Sequence, residues 1–239
     1  MSLPIPKHMK TSLNRLNSRI LASALTFASI LPAAADVTVS GRLGPSVIGD
    51  NIVVERGRKC VLNGTVIKGN VFVRPGAWLV AYGATIEGNV QADPTARVEL
   101  RSRTKVDGDY KGKGTRHLSA LSGTRISGNI QLETADTARS ALALAVLKAT
   151  VDGDVQITKS SGQINVRAST VGGNIQLTDN LEGHCHVTSN RVSGDIQAFR
   201  NLGNLSIIGN RVKGNLQVKE NERRPIVRNN RVEGSTEID

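Results

Sequence analysis

Residues 126–132 read Ile126-Ser127-Gly128-Asn129-Ile130-Gln131-Leu132, and the same phrase returns as Ile86-Glu87-Gly88-Asn89-Val90-Gln91-Ala92 and Val171-Gly172-Gly173-Asn174-Ile175-Gln176-Leu177. An aliphatic residue stands two before a glycine, Asn or Asp follows it, and then aliphatic, polar and aliphatic residues alternate. The marker glycine falls at 49, 69, 88, 108, 128, 153, 173, 194, 214 and 234, at intervals of 20, 19, 20, 20, 25, 20, 21, 20 and 20. A fixed period of this length is the signature of a solenoid, in which each unit buries its apolar face only against its neighbours.

Within the phrase the alternation has period 2, that of a strand with one buried face. Val90 and Ala92 point inward and Gln91 outward; Gln131, Gln156, Gln176, Gln197 and Gln217 share its outward slot. A second apolar pair precedes each phrase, as in Leu79 and Ala81, Leu144 and Val146, Ile164 and Val166, and Leu205 and Ile207. Each turn thus supplies two short strands and a tight corner. A period of 2 inside a period of about 20 predicts an all-β, single-stranded parallel β-helix of about ten turns, with a right-handed coil favoured. Stacking at 4.7–4.9 Å per turn gives a rod roughly 45–50 Å long.

The corners account for the recurrent glycine and asparagine. Glycine is expected to supply positive φ there, and Asn or Asp to bond nearby backbone. Asn190, Asn210 and Asn230 form one row of identical corner residues, and Asn180, Asn201 and Asn221 a second. Both are expected to be structural ladders satisfying backbone groups. The single long interval places a loop insertion at 133–143, Ala-rich and able to form a helical turn capped by Asp136. Val106-Asp107-Gly108-Asp109-Tyr110-Lys111-Gly112 is the most irregular turn, because Tyr110 and Gly112 fill apolar slots, and distortion is expected there.

Residues 1–35 carry Lys7, Lys10, Arg15 and Arg19, no acidic residue, an apolar stretch from Ile20 to Leu31, and Ala33-Ala34-Ala35. This is the pattern of a secretory signal peptide cleaved after Ala35. The apolar stretch is too short for a membrane span, which needs about 20 residues. The mature chain then comprises 36–239, with 36–48 as an N-terminal cap, exported to the periplasm or beyond and without stable membrane insertion. Its 27 basic and 20 acidic residues leave a net charge of +7. That excess favours anionic partners, an acidic polysaccharide or an envelope component. Nucleic acid is disfavoured, since Phe72, Trp78, Tyr82, Tyr110 and Phe199 are too few aromatics for successive stacking platforms.

Cys60 and Cys185 occupy the same inward slot about six turns apart, roughly 29 Å at the strand spacing, and a disulfide needs Cα atoms within about 7 Å. No disulfide is expected, and each thiol reads as a small buried hydrophobe. His184 and His186 share the outward face of one strand and would offer two metal ligands without a third, so no metal site is assigned. Asp107-Gly108-Asp109 and Asp152-Gly153-Asp154 are fragments of a calcium-loop pattern, better explained as corner residues. No cofactor motif and no nucleophile–base–acid constellation is evident, so no catalytic residue is assigned.

The most suggestive surface feature is Arg191, Arg211 and Arg231, one per turn at one position, with Arg125 and Lys105 in the same slot farther up. Such a row would grip carboxylates or sulfates along a polyanion. Glu220, Glu222 and Glu233 are candidate local partners that would instead make it an ordinary mixed-charge surface.

The phrase Asn210-Arg-Val212-Lys-Gly214-Asn-Leu216-Gln-Val218-Lys-Glu220-Asn221 and the opening Cys60-Val-Leu-Asn63-Gly64-Thr65-Val-Ile-Lys-Gly69-Asn70 resemble exported bacterial proteins built from N-x-V-x-G-N-L-Q repeats, over nearly the whole mature chain. Many of those proteins carry Cys where Val218 stands. The resemblance implies a solenoid and export, and no activity; the likeness to pectate lyases is architectural, without their catalytic motifs. The leading expectation is a non-enzymatic binding or structural module for an anionic polysaccharide; the alternative is a polysaccharide-modifying lyase or hydrolase with its groove near the 133–143 insertion.

Overall fold

The computed structural model describes residues 36–138 and 141–239; the expected signal peptide lies outside them. The chain coils through three parallel sheets in strict rotation. Among the described residues, sheet A has eleven strands, from Val37–Val39 to Thr236–Ile238; sheet B has ten, from Gly41–Leu43 to Ile226–Arg228; sheet C has ten two-residue strands, from Val47–Ile48 to Arg231–Val232. Each strand pairs with the strand three earlier and the strand three later, except the first and last of each sheet, which have one neighbour. Residues 36–48, expected as a cap, already provide the first strand of all three sheets.

The expected parallel β-helix of about ten turns is therefore present, with one strand per turn more than the alternation suggested. The sheet C strands, such as Arg191–Val192, are two residues long. Two residues cannot display an alternating pattern, so this strand was hidden in the aliphatic residue that leads each phrase.

Inward side chains from the three sheets form one core, in columns such as Ile130, Val155, Ile175, Ile196 and Leu216 of sheet A, all buried. Each such Val, Leu or Ile contributes about 1.5–3 kcal/mol by burial. Cys60 and Cys185 are both free and lie in the sheet B column, six strands apart. Burial raises the Cys60 thiol to about 11 and the Cys185 thiol to about 12.

The marker glycines pile into one line, but not for the expected reason. None from Gly69 onward has positive φ. Instead their backbones touch: Gly108 N–H donates to the Gly88 carbonyl at 3.2 Å, and Gly214 N–H to that of Gly194 at 3.1 Å. A Cβ on Gly108 would lie 2.8 Å from the Gly88 oxygen and 2.5 Å from Asn89 Oδ1. Close approach, not left-handed backbone, excludes a side chain.

Left-handed backbone is found one residue before the corner asparagines, at Asp179, Ser189, Arg200, Gly209, Glu220 and Asn229. The two expected ladders follow. Asn190 N–H and Nδ2–H both donate to Asn210 Oδ1, at 2.9 and 3.0 Å, and Asn210 repeats this onto Asn230. Asn180, Asn201 and Asn221 are joined in the same way. A third ladder follows the marker glycines. It runs through Asn51, Asn70, Asn89, Asp109, Asn129, Asp154, Asn174, Asp195, Asn215 and Ser235, each N–H from Asn70 onward donating to the side-chain oxygen one turn earlier. Because only an oxygen acceptor is needed, Asp serves as well as Asn, and this explains Asp109 and Asp154.

The turn around Tyr110 is not distorted. Tyr110–Lys113 pairs in register with both neighbouring strands. A Cβ on Gly112 would meet Leu118 Cδ1 at 2.7 Å, so the empty slot is filled from across the core while Tyr110 occupies the next. In the insertion, the described residues form no helical turn. Ala135 is buried instead, and its N–H donates to Ser160 Oγ at 3.1 Å. The register of sheet B slips between Leu142 and Leu144, and the regular pattern resumes there.

A candidate anion-binding row on sheet C

Lys105 and Arg125 are register partners, as are Arg191 and Arg211, and Arg211 and Arg231. All five expected residues thus stand in one column on the outer face of sheet C. Thr150 and Thr170 fill the two turns between Arg125 and Arg191, dividing the column into an upper pair and a lower triplet. Within the triplet, successive residues are about 4.8 Å apart.

The lower triplet is held by the corner behind it. Arg211 N–H donates to the Asn190 carbonyl and Arg231 N–H to that of Asn210, both at 2.8 Å, so these two arginine strands begin on a residue of the asparagine ladder, while Arg191 N–H donates to the Ser169 carbonyl at 2.9 Å. Backbone position is thereby fixed by two sets of bonds, one from the ladder amides and one from the strand. A recess of about 240 Å³ lies between Arg191 and Arg211, bounded by Ser189, Asn190 and Gly209. Those corner residues were missed as part of the site; the repeated left-handed position before each asparagine is the signal that marks them.

Electrostatically the two parts differ. Arg125 is paired with Asp152 at 2.6 Å. Arg191, Arg211 and Arg231 are exposed and have no ion pair among the described residues. Of the acids expected to neutralise them, Glu220 instead lies 3.9 Å from Arg200, and Glu222 and Glu233 form no ion pair among the described residues. Guanidinium groups do not deprotonate. Two unit charges about 5 Å apart in water repel by about 0.8 kcal/mol, and only splaying or an anion relieves this.

On the neighbouring outer face, sheet A carries a glutamine column. Gln176 Nε2 donates to Gln197 Oε1 at 2.9 Å, and Gln197 Nε2 to Gln217 Oε1 at 3.0 Å. His184 and His186 face each other as stacked rings 6.0 Å apart. Burial, and then the charge of His184, lowers the His186 pKa.

Beside the start of the insertion, Asp93, Lys111, Lys113 and Glu133 border a depression of about 490 Å³. Each group has its own ion pair: Asp93 with Arg74, Lys111 with Asp109, and Glu133 with Lys113. The two acids are therefore held by different cations and are not directed at a common point.

No protein-family model matches the chain, and neither curated proteins nor solved structures match it significantly.

Proposed function

We propose that this chain is an exported, non-enzymatic β-solenoid of the cell envelope or extracellular space that holds an anionic polysaccharide along sheet C. One observation carries the reading: three arginines in register, on a backbone fixed by an asparagine ladder, lack carboxylate partners among the described residues. A linear polyanion supplies what the row lacks, one oxyanion per guanidinium, through charge-assisted bonds. The basic excess of the mature chain and the signal-like pattern of residues 1–35 agree with such a partner and location. The test is retention of the mature chain on an acidic-glycan array, with turnover assayed alongside. Retention without cleavage, weakened when Arg191, Arg211 and Arg231 are all changed to Gln, is the expected result; retention unaffected by that triple change overturns the assignment to sheet C.

A second reading, a polysaccharide-modifying enzyme, is favoured by the acids and lysines beside the insertion. It predicts cleavage of an acidic glycan that Glu133→Gln abolishes. The separate ion pairs of Asp93 and Glu133 weigh against it, since an acid–base pair needs both groups free at one bond.

A further inference from the structure

A second basic cluster lies on sheet B near the N-terminal end of the coil. Lys59, Trp78 and Arg97 are register partners on three successive strands, so their side chains leave the sheet one above another. The Lys59 ammonium sits over the Trp78 ring, 3.8 Å from its centroid. Arg58 and Arg116 flank this column and, with it, border a depression of about 390 Å³. Gly57 and Gly76, at φ of 67° and 71°, form the adjoining corner without side chains, and Thr95 takes the same position in the next turn.

The charge here is one-sided. No carboxylate borders the depression, and none of Arg58, Lys59, Arg97 and Arg116 has an ion pair among the described residues. Pairing is otherwise common in these turns: Lys68 with Glu87, Arg74 with Asp93, Arg101 with Glu99. The Trp78 indole N–H is also buried without an acceptor. Four uncompensated cations around one depression suit an acceptor-rich ligand. An indole with a cation on its face suits a ligand that combines oxyanions with an apolar ring face.

We propose that this depression is a second glycan site, taking a carboxylated or sulfated saccharide whose charged groups meet Arg58, Lys59, Arg97 and Arg116 and whose ring lies against the part of Trp78 that Lys59 leaves uncovered. The proposal rests on the acidic-glycan reading above and adds a site remote from the sheet C row.

Trp78 is the only tryptophan of the chain, so its fluorescence reports on this site alone. The full mature chain is titrated with an oligogalacturonate, a heparin-derived oligosaccharide, neutral dextran and inorganic sulfate. A saturable emission change is expected with an acidic saccharide and not with dextran; a response to the oligogalacturonate shows that carboxylate suffices, and a response to the heparin fragment alone assigns recognition to sulfate. Arg97→Gln is expected to weaken it at least tenfold with the circular dichroism spectrum unchanged, while the triple Gln change at 191, 211 and 231 leaves it intact. No saturable change with either acidic saccharide, a change insensitive to Arg97→Gln, or an equal response to inorganic sulfate, which would show an adventitious ion only, overturns the proposal. If the glycan is retained through the sheet C arginines while Trp78 stays silent, this site falls and the row stands. If Trp78 responds and the triple variant retains every glycan, the row falls and this site stands.

Discussion

The hydroxyl of Tyr110, on a strand of sheet A, accepts the backbone N–H of Ser119 in sheet B at 3.1 Å and donates to the Val98 carbonyl at 3.0 Å. Val98 and Ser119 belong to adjacent sheet B strands, so a side chain crossing the core stands between two strands of the opposite wall. Tyr110 is fully buried, and burial pushes its phenol well above the ordinary range, so it remains a donor at any physiological pH.

Tyr110→Phe removes both bonds and leaves an amide and a carbonyl in the core without their partner. Stability is expected to fall by about 1–3 kcal/mol, measured by urea denaturation. An unchanged midpoint would mean that the two strands close up and bond directly.

The two kinds of glycine are expected to respond differently to alanine. Gly108→Ala places a Cβ against the Gly88 carbonyl and Asn89, with no flexible neighbour to yield, and should impair folding. Gly209→Ala meets nothing nearer than Ser189 Oγ at 3.7 Å and carries only the left-handed penalty, about 1–2 kcal/mol. Thermal denaturation of the two variants checks the order, and equal losses would refute the steric account of the marker column.

Asp109 separates acceptor from charge in the third ladder. Burial alone would raise its carboxyl, but the Asn129 amide and Lys111 outweigh it and hold the group below its usual range. A depressed carboxyl stabilises the fold above its unfolded value, near pH 4, and that contribution is lost as pH falls through the folded value. Asp109→Asn keeps the oxygen and removes the charge, so its stability deficit relative to the parent should shrink between pH 7 and pH 2.5. Asp109→Ala, which leaves the Asn129 N–H without its acceptor, should cost about 1–3 kcal/mol even in acid.

Both thiols should resist modification. Cys60 and Cys185 are buried, with ionisation displaced to about 11 and about 12, so a thiol-reactive disulfide reagent at pH 8 is expected to label neither in the native chain and both after unfolding. Rapid native labelling would mean that the sheet B column opens easily.

Thr150→Arg together with Thr170→Arg fills the gap between the upper pair and the lower triplet. Affinity for a polyanion long enough to span both should rise about tenfold, or about 1.4 kcal/mol, and the gain should fade at high salt. No gain would argue that Arg125, held by Asp152, takes no part.

The sequence displayed whatever repeats once per turn. The coil, the core columns, the two asparagine ladders and the position of the sheet C arginines all follow from spacing. Several features did not follow. The marker glycines were assigned a left-handed role because a corner suggests it, whereas their necessity comes from the backbone one turn away, a neighbour about 20 residues distant. The Trp78 cluster was hidden because its column mixes residue types: Lys59, Trp78, Arg97 and His117 share a register without sharing chemistry. The pairing of Glu220 with Arg200, which leaves the arginine row uncompensated, likewise depends on which way two exposed side chains turn.

The side-chain ladders have opposite polarity. After the marker glycines, each amide looks back to an oxygen already present in the preceding turn, whereas at the Asn190–Asn230 corner each amide waits for an oxygen in the turn that follows. A chain emerging from its N-terminus therefore finds a docking template for every new turn on one edge and completes the previous turn on another. The coil can elongate vectorially, each arrival both guided by and sealing its predecessor.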